Sequence, residues 1–274
     1  MITAKIIQDS INSVGVRIAT LELEYPRFIH SEFMTHRVFS RNAASSRAIP
    51  VEKMMEQVRD NPAKPVQWGL NQAGMQAGQE HCDTQACIDA WRWAAASAVE
   101  SARTLHEMGL HKQIANRVLE PFQTMKTVVT ATEWDNFFML RDHKDAQPEI
   151  QVLAREMKVA MDASKPFQLK DGEWHVPYVD RCGDGSSSIV YMSQGKILTK
   201  EEALMVSASC CAQVSYRLLD SSLEKALFVY DKLVNSRPIH ASPFEHQGQD
   251  VGMGKHQLSG NLRGFLQYRK TLEV

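Results

Sequence analysis

Residues 35–47 read Thr35-His36-Arg37-Val38-Phe39-Ser40-Arg41-Asn42-Ala43-Ala44-Ser45-Ser46-Arg47. Three arginines, three serines, an asparagine and a histidine fall within these thirteen residues. Guanidinium forks, hydroxyls and backbone N–H groups are the donors that a phosphate site requires. A solvated loop has the same composition, so composition alone leaves both readings open. The segment just upstream supplies a setting. Residues 14–24 (VGVRIATLELE) are rich in β-branched side chains with partial alternation, which predicts a strand closed by Pro26.

Downstream, the pattern is mostly helical. Ile88, Trp91, Ala95, Val99 and Leu105 recur near helical spacing and predict a helix over 83–108, with Gly109 as its stop. A second helix follows through Ile114 and Val118 to Pro121, then an extended stretch from Thr127 to Thr130. Residues 132–142 and 148–163 read as two further helices, the second opened by Pro148 at a first-turn position. Residues 164–198 hold the least regular material, including a loop at 183–188 (GDGSSS). Thr199 with Glu202 three residues on predicts a capping box for a helix through 212, and another helix runs from about Ser222 to Asn235. No internal repeat or low-complexity tract interrupts the chain.

The 274 residues suffice for one large domain or two small ones, and 43% hydrophobic with 23% charged residues is the balance of an ordinary globular protein. A net charge of -1 provides no field to draw in a nucleic-acid polymer, although a local basic pocket for one phosphate is compatible with it. The N-terminus turns polar too early for a signal peptide, and no apolar run is long enough to span a bilayer. A cytoplasmic protein without a membrane partner is expected. The five cysteines (Cys82, Cys87, Cys182, Cys210 and Cys211) are odd in number, irregularly spaced and without a CxxC pair, so reduced, buried thiols and no metal site are expected.

Some motifs fail on spacing. Residues 248–255 (GQDVGMGK) place five residues between Gly248 and Gly254 where a P-loop has four, and His256 stands where Ser or Thr would meet magnesium. His106-Glu107 and His111 miss the zinc-protease spacing by one residue, which turns the two imidazoles apart around a helix. The Gly183-x-Gly185 pair lacks the third glycine and the strand of a dinucleotide fingerprint. The zinc-deaminase pattern is absent as well.

The 35–47 stretch resembles the signature of flavin-dependent thymidylate synthases, R-H-R followed by S-x-N-E-x-S-x-R, with His36, Arg37, Ser40, Asn42, Ser45 and Arg47 in register. Three further segments are similar to the family. His240-Ala241-Ser242-Pro243-Phe244-Glu245-His246 matches H-x-[ST]-P-F-E-H, and Ala212-Gln213-Val214-Ser215 is similar to A-R-V-S. Between Gly109 and Glu149, Arg117, Asn136, Leu140-Arg141 and Ala146-Gln147-x-Glu149 follow the family spacing. In the family the A-R-V-S and S-P-F-E-H segments precede R-H-R. Here they follow it, so the resemblance implies a circular permutation that moves the family's N-terminal portion to residues 200–250. The implied fold is α+β, mainly helical with a small central antiparallel sheet, in one domain spanning 1–274. Residues 164–198 and those after 247 have no family counterpart.

The resemblance implies a site and a reaction. His36, Arg37, Ser40, Asn42, Asn136, Arg141, Ser215 and Ser242 would hold FAD. Ser45, Ser46, Arg47 and Arg117 would hold the nucleotide phosphate, with Arg141 also facing the base. Arg141 and His240 take the catalytic positions, His240 beside flavin and folate. The implied activity is one-carbon transfer from 5,10-methylenetetrahydrofolate to C5 of a deoxypyrimidine monophosphate, dUMP to dTMP, with NADPH reducing the flavin in a homotetramer whose subunits share active sites. None of the five cysteines sits in an activating context, in keeping with a family that uses no cysteine nucleophile.

Three positions depart from the pattern: Thr35 replaces the first arginine of R-H-R, Ala43 the glutamate after Asn42, and Glu32 a glutamine. A carboxylate accepts a hydrogen bond from the exocyclic amine of cytosine, which uracil lacks. Glu32 is therefore a candidate substrate contact, and C5 methylation or hydroxymethylation of dCMP is the alternative reaction. A structural ion pair is the other reading of Glu32. Arg269, in the tail segment Gln267-Tyr268-Arg269-Lys270, is a candidate to restore the missing cation. A non-catalytic FAD- and nucleotide-binding relic is the reading from another class.

Overall fold

The first 26 residues form the hairpin on which the rest is assembled. Strands β1 (Thr3–Ile11) and β2 (Arg17–Pro26) pair antiparallel, with a bulge between Ile6 and Gln8. Asn12 closes their turn: its Oδ1 accepts from the N–H groups of Val14 (3.2 Å) and Val16 (2.7 Å), and Gly15 takes the positive φ of 88° that the turn needs. β3 (Ser40–Ala43) and β4 (Thr124–Ala131) extend the sheet antiparallel on one side, and β5 (Phe167–Gln168) runs parallel to β1 on the other. The strand order is β3-β4-β2-β1-β5. In the computed structural model residues 2–183, 189–215, 219–236, 238–252, 254 and 256–272 are described.

One face of the sheet carries Ala19, Leu21, Leu23, Tyr25, Met125, Val129 and Ala131, all buried. Against it pack helix α1 (His30–Phe33), helix α5 (Asp135–Arg141) and helix α6 (Pro148–Asp162), the last through Ile150, Leu153 and Met157. Helix α2 (Val51–Asp60) and the long helix α3 (Thr84–Glu107) form a separate apolar cluster with Met54, Val58, Val99 and Leu119. Asp83 caps α3 by accepting from the Ala86 N–H at 2.9 Å, and Gly109 ends the segment with φ 79°. Helix α4 (Lys112–Ala115) is a single turn, because Pro121 holds residues Asn116–Phe122 in a 3-10 helix.

The opposite face of the sheet is polar where it should be driest. Ser10, Thr20 and Thr130 are fully buried there, each bonded to a buried histidine. Arg181 donates to Ser10 Oγ (2.7 Å), Ser10 meets His175 Nδ1 (2.8 Å), and His175 Nε2 meets Thr20 Oγ1 (2.8 Å). Thr20 and Thr130 share a hydrogen bond of 2.6 Å, and Thr130 meets His246 Nδ1 at 2.8 Å. Burial pulls the pKa of His246 down to about 3 and that of His175 well below the ordinary imidazole value. Both rings are neutral at physiological pH, which is what this desolvated position demands.

The C-terminal third covers that polar face. Helix α7 (Lys200–Ala212) starts at a capping box between Thr199 and Glu202 and packs on helix α8 (Leu223–Asn235), which Ser222 caps. The mainly helical α+β class with a central antiparallel sheet is therefore as expected. Several local expectations are corrected. The sequence pattern predicts neither β1, whose residues alternate too little, nor α2. The predicted strand at 14–24 starts at Arg17, since residues 12–16 are the hairpin turn.

Residues 164–198 are built, not irregular. They hold β5 and the short strands β6 (Trp174–His175), β7 (Asp180–Cys182), β8 (Val190–Ser193) and β9 (Lys196–Leu198). The loop expected at 184–188 lies outside the described residues. All five thiols are free, but only Cys210 and Cys211 are buried, while Cys82 and Cys182 are exposed.

Candidate active site

Sequence places Arg27 immediately after the strand-ending Pro26, and the chain turns there through the 3-10 segment Arg27–Ile29 into α1. The 43–47 loop leaves β3 beside it. Asn116, fully buried, pins the loop by donating to the carbonyls of Ser46 (2.7 Å) and Ile49 (3.1 Å). Because Asn116 opens the 3-10 helix 116–122, that anchor also fixes Arg117 next to the loop.

The result is a cavity of 210 Å³ lined by Ser45, Ser46, Arg47 and Arg117 together with Arg27 and His30. All four residues expected to hold a phosphate thus converge. Ser45 Oγ accepts from the Arg47 N–H (3.3 Å), and the Ser45 N–H donates to Ser215 Oγ (2.8 Å). Glu120 Oε1 bridges two of the guanidiniums, at 2.9 Å from both Arg27 and Arg117. Sequence reasoning missed Arg27, His30, Asn116 and Glu120. The signals available were a cation directly after a strand-ending proline and an asparagine beside Arg117.

A second cluster gathers on α1 and α5. Arg141 donates through Nε to His36 Nε2 (2.9 Å), pairs closely with Glu32, and reaches Thr35 Oγ1 at 3.3 Å. The ring of His36 is buried among Phe39 and Phe137, at centroid distances of 5.8 and 4.9 Å. Burial first, then the charges of Arg141 and Arg41, pull its pKa down to about 4. A neutral imidazole accepting at Nε2 carries its proton on Nδ1. Two of the departures, Thr35 and Glu32, therefore touch the same guanidinium, and Glu32 is an ion-pair partner of Arg141.

Other expected ligand contacts are placed elsewhere. Ser40 is fully buried, donating to Asn261 Oδ1 (3.1 Å) and accepting from Gln267 (3.4 Å), so its hydroxyl is turned inward. Asn42 donates to the Cys211 carbonyl at 3.1 Å, and its buried Oδ1 finds no partner among the described residues. Arg41 is spent on the carbonyls of Met34 and His36 (2.9 and 3.0 Å). Arg37, His240 and Ser242 are exposed. Asn136 lines a 700 Å³ cleft with Val38, and Ser215 lines a 790 Å³ cleft with Ala44 and Lys126. The tail cation Arg269 is paired closely with Glu245, and does not join the Thr35 cluster.

The late segments meet the early signature and the neighbouring strand β4 in space. Ser215 touches Ser45, Cys211 touches Asn42, and His246 touches Thr130, although each pair is more than a hundred residues apart. A strand-edge loop rich in cations, backed by a buried α+β core, gathers guanidinium and hydroxyl groups at the rim of the sheet. The family follows from the comparisons. The profile described as "Thymidylate synthase complementing protein" matches residues 16–167, more than half of the chain. The chain belongs to that family of flavin-dependent thymidylate synthase-like proteins.

Two solved structures are similar in fold, both of the UMP/dUMP methylase PolB from Streptomyces cacaoi. The form bound to 5-Br dUMP is 19% identical, with a TM-score of 0.50, over 59% of this chain and 90% of that one. The form bound to 5-Br UMP is 18% identical, with a TM-score of 0.48, over 59% and 88%. No curated protein sequence matches the chain. Among the described residues, no helix is long and apolar enough to cross a membrane.

Proposed function

We propose that this chain transfers a one-carbon unit to C5 of a deoxypyrimidine monophosphate, dUMP to dTMP. The observation that carries the reading is the convergence of Ser45, Ser46, Arg47 and Arg117 on one small cavity beside β3. A cavity of that size and charge suits a phosphate monoester, and hydroxyl and guanidinium donors line it. The related methylase PolB binds a 5-substituted dUMP, which supports the substrate class.

The residues fit a flavin dinucleotide in part. Arg37, Asn136, His240 and Ser242 are exposed donors, and the unpartnered Asn42 Oδ1 is a spare acceptor. Neither of the two large clefts collects all of them, which supports a site completed by other copies in a homotetramer. The chemistry that FAD supplies when bound is hydride transfer, with NADPH as its reductant and 5,10-methylenetetrahydrofolate as the carbon donor. The chain's own part is to hold and orient. Arg47 and Arg117 fix the phosphate, the Ser215 hydroxyl holds the Ser45 N–H in place, and Arg141 is aimed by His36 and Glu32 toward the base. Neutral His36 can accept from Arg141 without adding charge. His240, on the exposed segment before the 3-10 turn Ser242–Glu245, is left for flavin and folate.

Engagement of Glu32 with Arg141 supports dUMP over dCMP, because its carboxylate already has a cationic partner. The contacts of Cys211 and Ser215 with the signature support a circular permutation, one domain whose family N-terminal portion lies at 200–250. Reconstitution with FAD tests the reading: a yellow protein bleached by NADPH, with dUMP bound, is expected. A protein that holds FAD yet is never bleached would instead mark the relic.

A further inference from the structure

The cavity proposed for the phosphate contains one cation, Arg27, beyond those that the family resemblance supplies. Arg27, Arg47 and Arg117 all line it, and among the described residues the only carboxylate paired with these three is Glu120. Three positive charges against one negative leave two. A phosphate monoester near neutral pH carries about -1.5 to -2. His30, the other titratable group facing the cavity, does not alter that count. Its Nδ1 is held by the Tyr25 hydroxyl at 2.9 Å, and burial with Arg27 and Arg41 nearby lowers its pKa to about 4.

Arg27 is also the least exposed of the three. Its side chain is 20% exposed, against 56% for Arg117. Glu120 holds both at 2.9 Å through one oxygen, so two guanidiniums are preset around a single anionic oxygen. A phosphate oxygen offers the same acceptor geometry.

We propose that Arg27 is a phosphate-binding and specificity-determining residue of this cavity, and that Glu120 is its resident counter-ion, which competes with the ligand. The inference rests on the proposed nucleotide site and goes beyond it by making the site selective for the dianionic monoester over the uncharged nucleoside. The test is calorimetric titration of the full-length protein with inorganic phosphate, dUMP and deoxyuridine. Arg27→Gln is expected to weaken phosphate and dUMP by about ten- to hundredfold, the range of a charge-assisted contact, with deoxyuridine unchanged. Arg27→Lys, which keeps the charge without the fork, should recover part of that loss and guards against a misfolded glutamine variant. Glu120→Gln should tighten phosphate and dUMP by about two- to fivefold.

Equal dUMP affinity in wild type and both Arg27 variants would overturn the inference and leave the proposed reaction standing. So would a Glu120→Gln variant that binds dUMP more weakly, since that is the mark of a purely structural pair. Phosphate binding that depends on Arg27, in a protein that makes no C5-modified nucleotide, would support the cavity assignment while the reaction fails.

Discussion

Replacing Thr130 with valine removes one hydroxyl from the centre of the sheet and almost no volume. Thr130 is fully buried, and its Oγ1 bonds both Thr20 Oγ1 (2.6 Å) and His246 Nδ1 (2.8 Å). His246 Nε2 has no partner among the described residues, so Thr130→Val leaves the buried imidazole with none. An unsatisfied buried polar group costs about 1–3 kcal/mol, and the lost Thr–Thr bond adds about 1 kcal/mol. Thr20 keeps its bond to His175, and valine's strand preference returns a few tenths of a kcal/mol. The expected loss is therefore about 2–4 kcal/mol.

Urea unfolding, followed by far-UV circular dichroism, should show the midpoint falling with an unchanged slope. His246→Leu in the Thr130→Val background should recover part of the loss, because removing both partners leaves nothing unpaired. A change below about 0.5 kcal/mol, or additive effects of the two substitutions, would refute the argument that this hydroxyl satisfies the histidine.

Acid should destabilise the protein through the same histidines. His246 is near 3 folded against 6.5 as its ordinary value, so the unfolded chain binds the proton first. Stability is thus full above pH 6.5 and falls by about 1.4 kcal/mol per pH unit below it, until the folded pKa is reached; midpoints measured between pH 7.5 and 5 that do not fall would contradict this. Glu32→Ala frees one side of Arg141 and should cut turnover with dUMP by about 10- to 100-fold without creating activity on dCMP, as read by steady-state kinetics. Ser215→Ala removes the acceptor for the Ser45 N–H and should raise the KM for dUMP while costing about 1 kcal/mol of stability. Thr199→Ala breaks the capping box of α7 and should cost about 1 kcal/mol in urea unfolding, with nucleotide affinity untouched.

Much of the helical frame was legible because its signals are local. Asp83 and Gly109 bracket α3, Thr199 and Glu202 open α7, and Pro148 starts α6, each acting within one turn. The strands of residues 164–198 were not legible, since two- to four-residue segments acquire their conformation from partners far away: Trp174 and His175 pair with Gln249 and Gly248. β1 escaped for a related reason. Its Gln8, Asp9 and Ser10 look like surface residues, yet all three are buried under Val179, Arg17 and His175.

At the site, the proposed phosphate set Ser45, Ser46, Arg47 and Arg117 could be named from the family resemblance, and these four residues line one cavity. Arg27 and Glu120 could not, because a turn after Pro26 and a 3-10 helix bring together two residues 93 positions apart. Ser40 and Asn42 matched the signature in type, but their side chains face Asn261 and Cys211. Matching a motif in sequence does not say which way a strand residue points.

The most direct measurement is a product assay on FAD-loaded protein given NADPH, 5,10-methylenetetrahydrofolate and either dUMP or dCMP, with products identified by mass. The account predicts thymidylate from dUMP, abolished when Arg47 and Arg117 are both replaced by glutamine. A C5-modified cytidylate with dUMP left untouched, or no modified nucleotide from either, would contradict it.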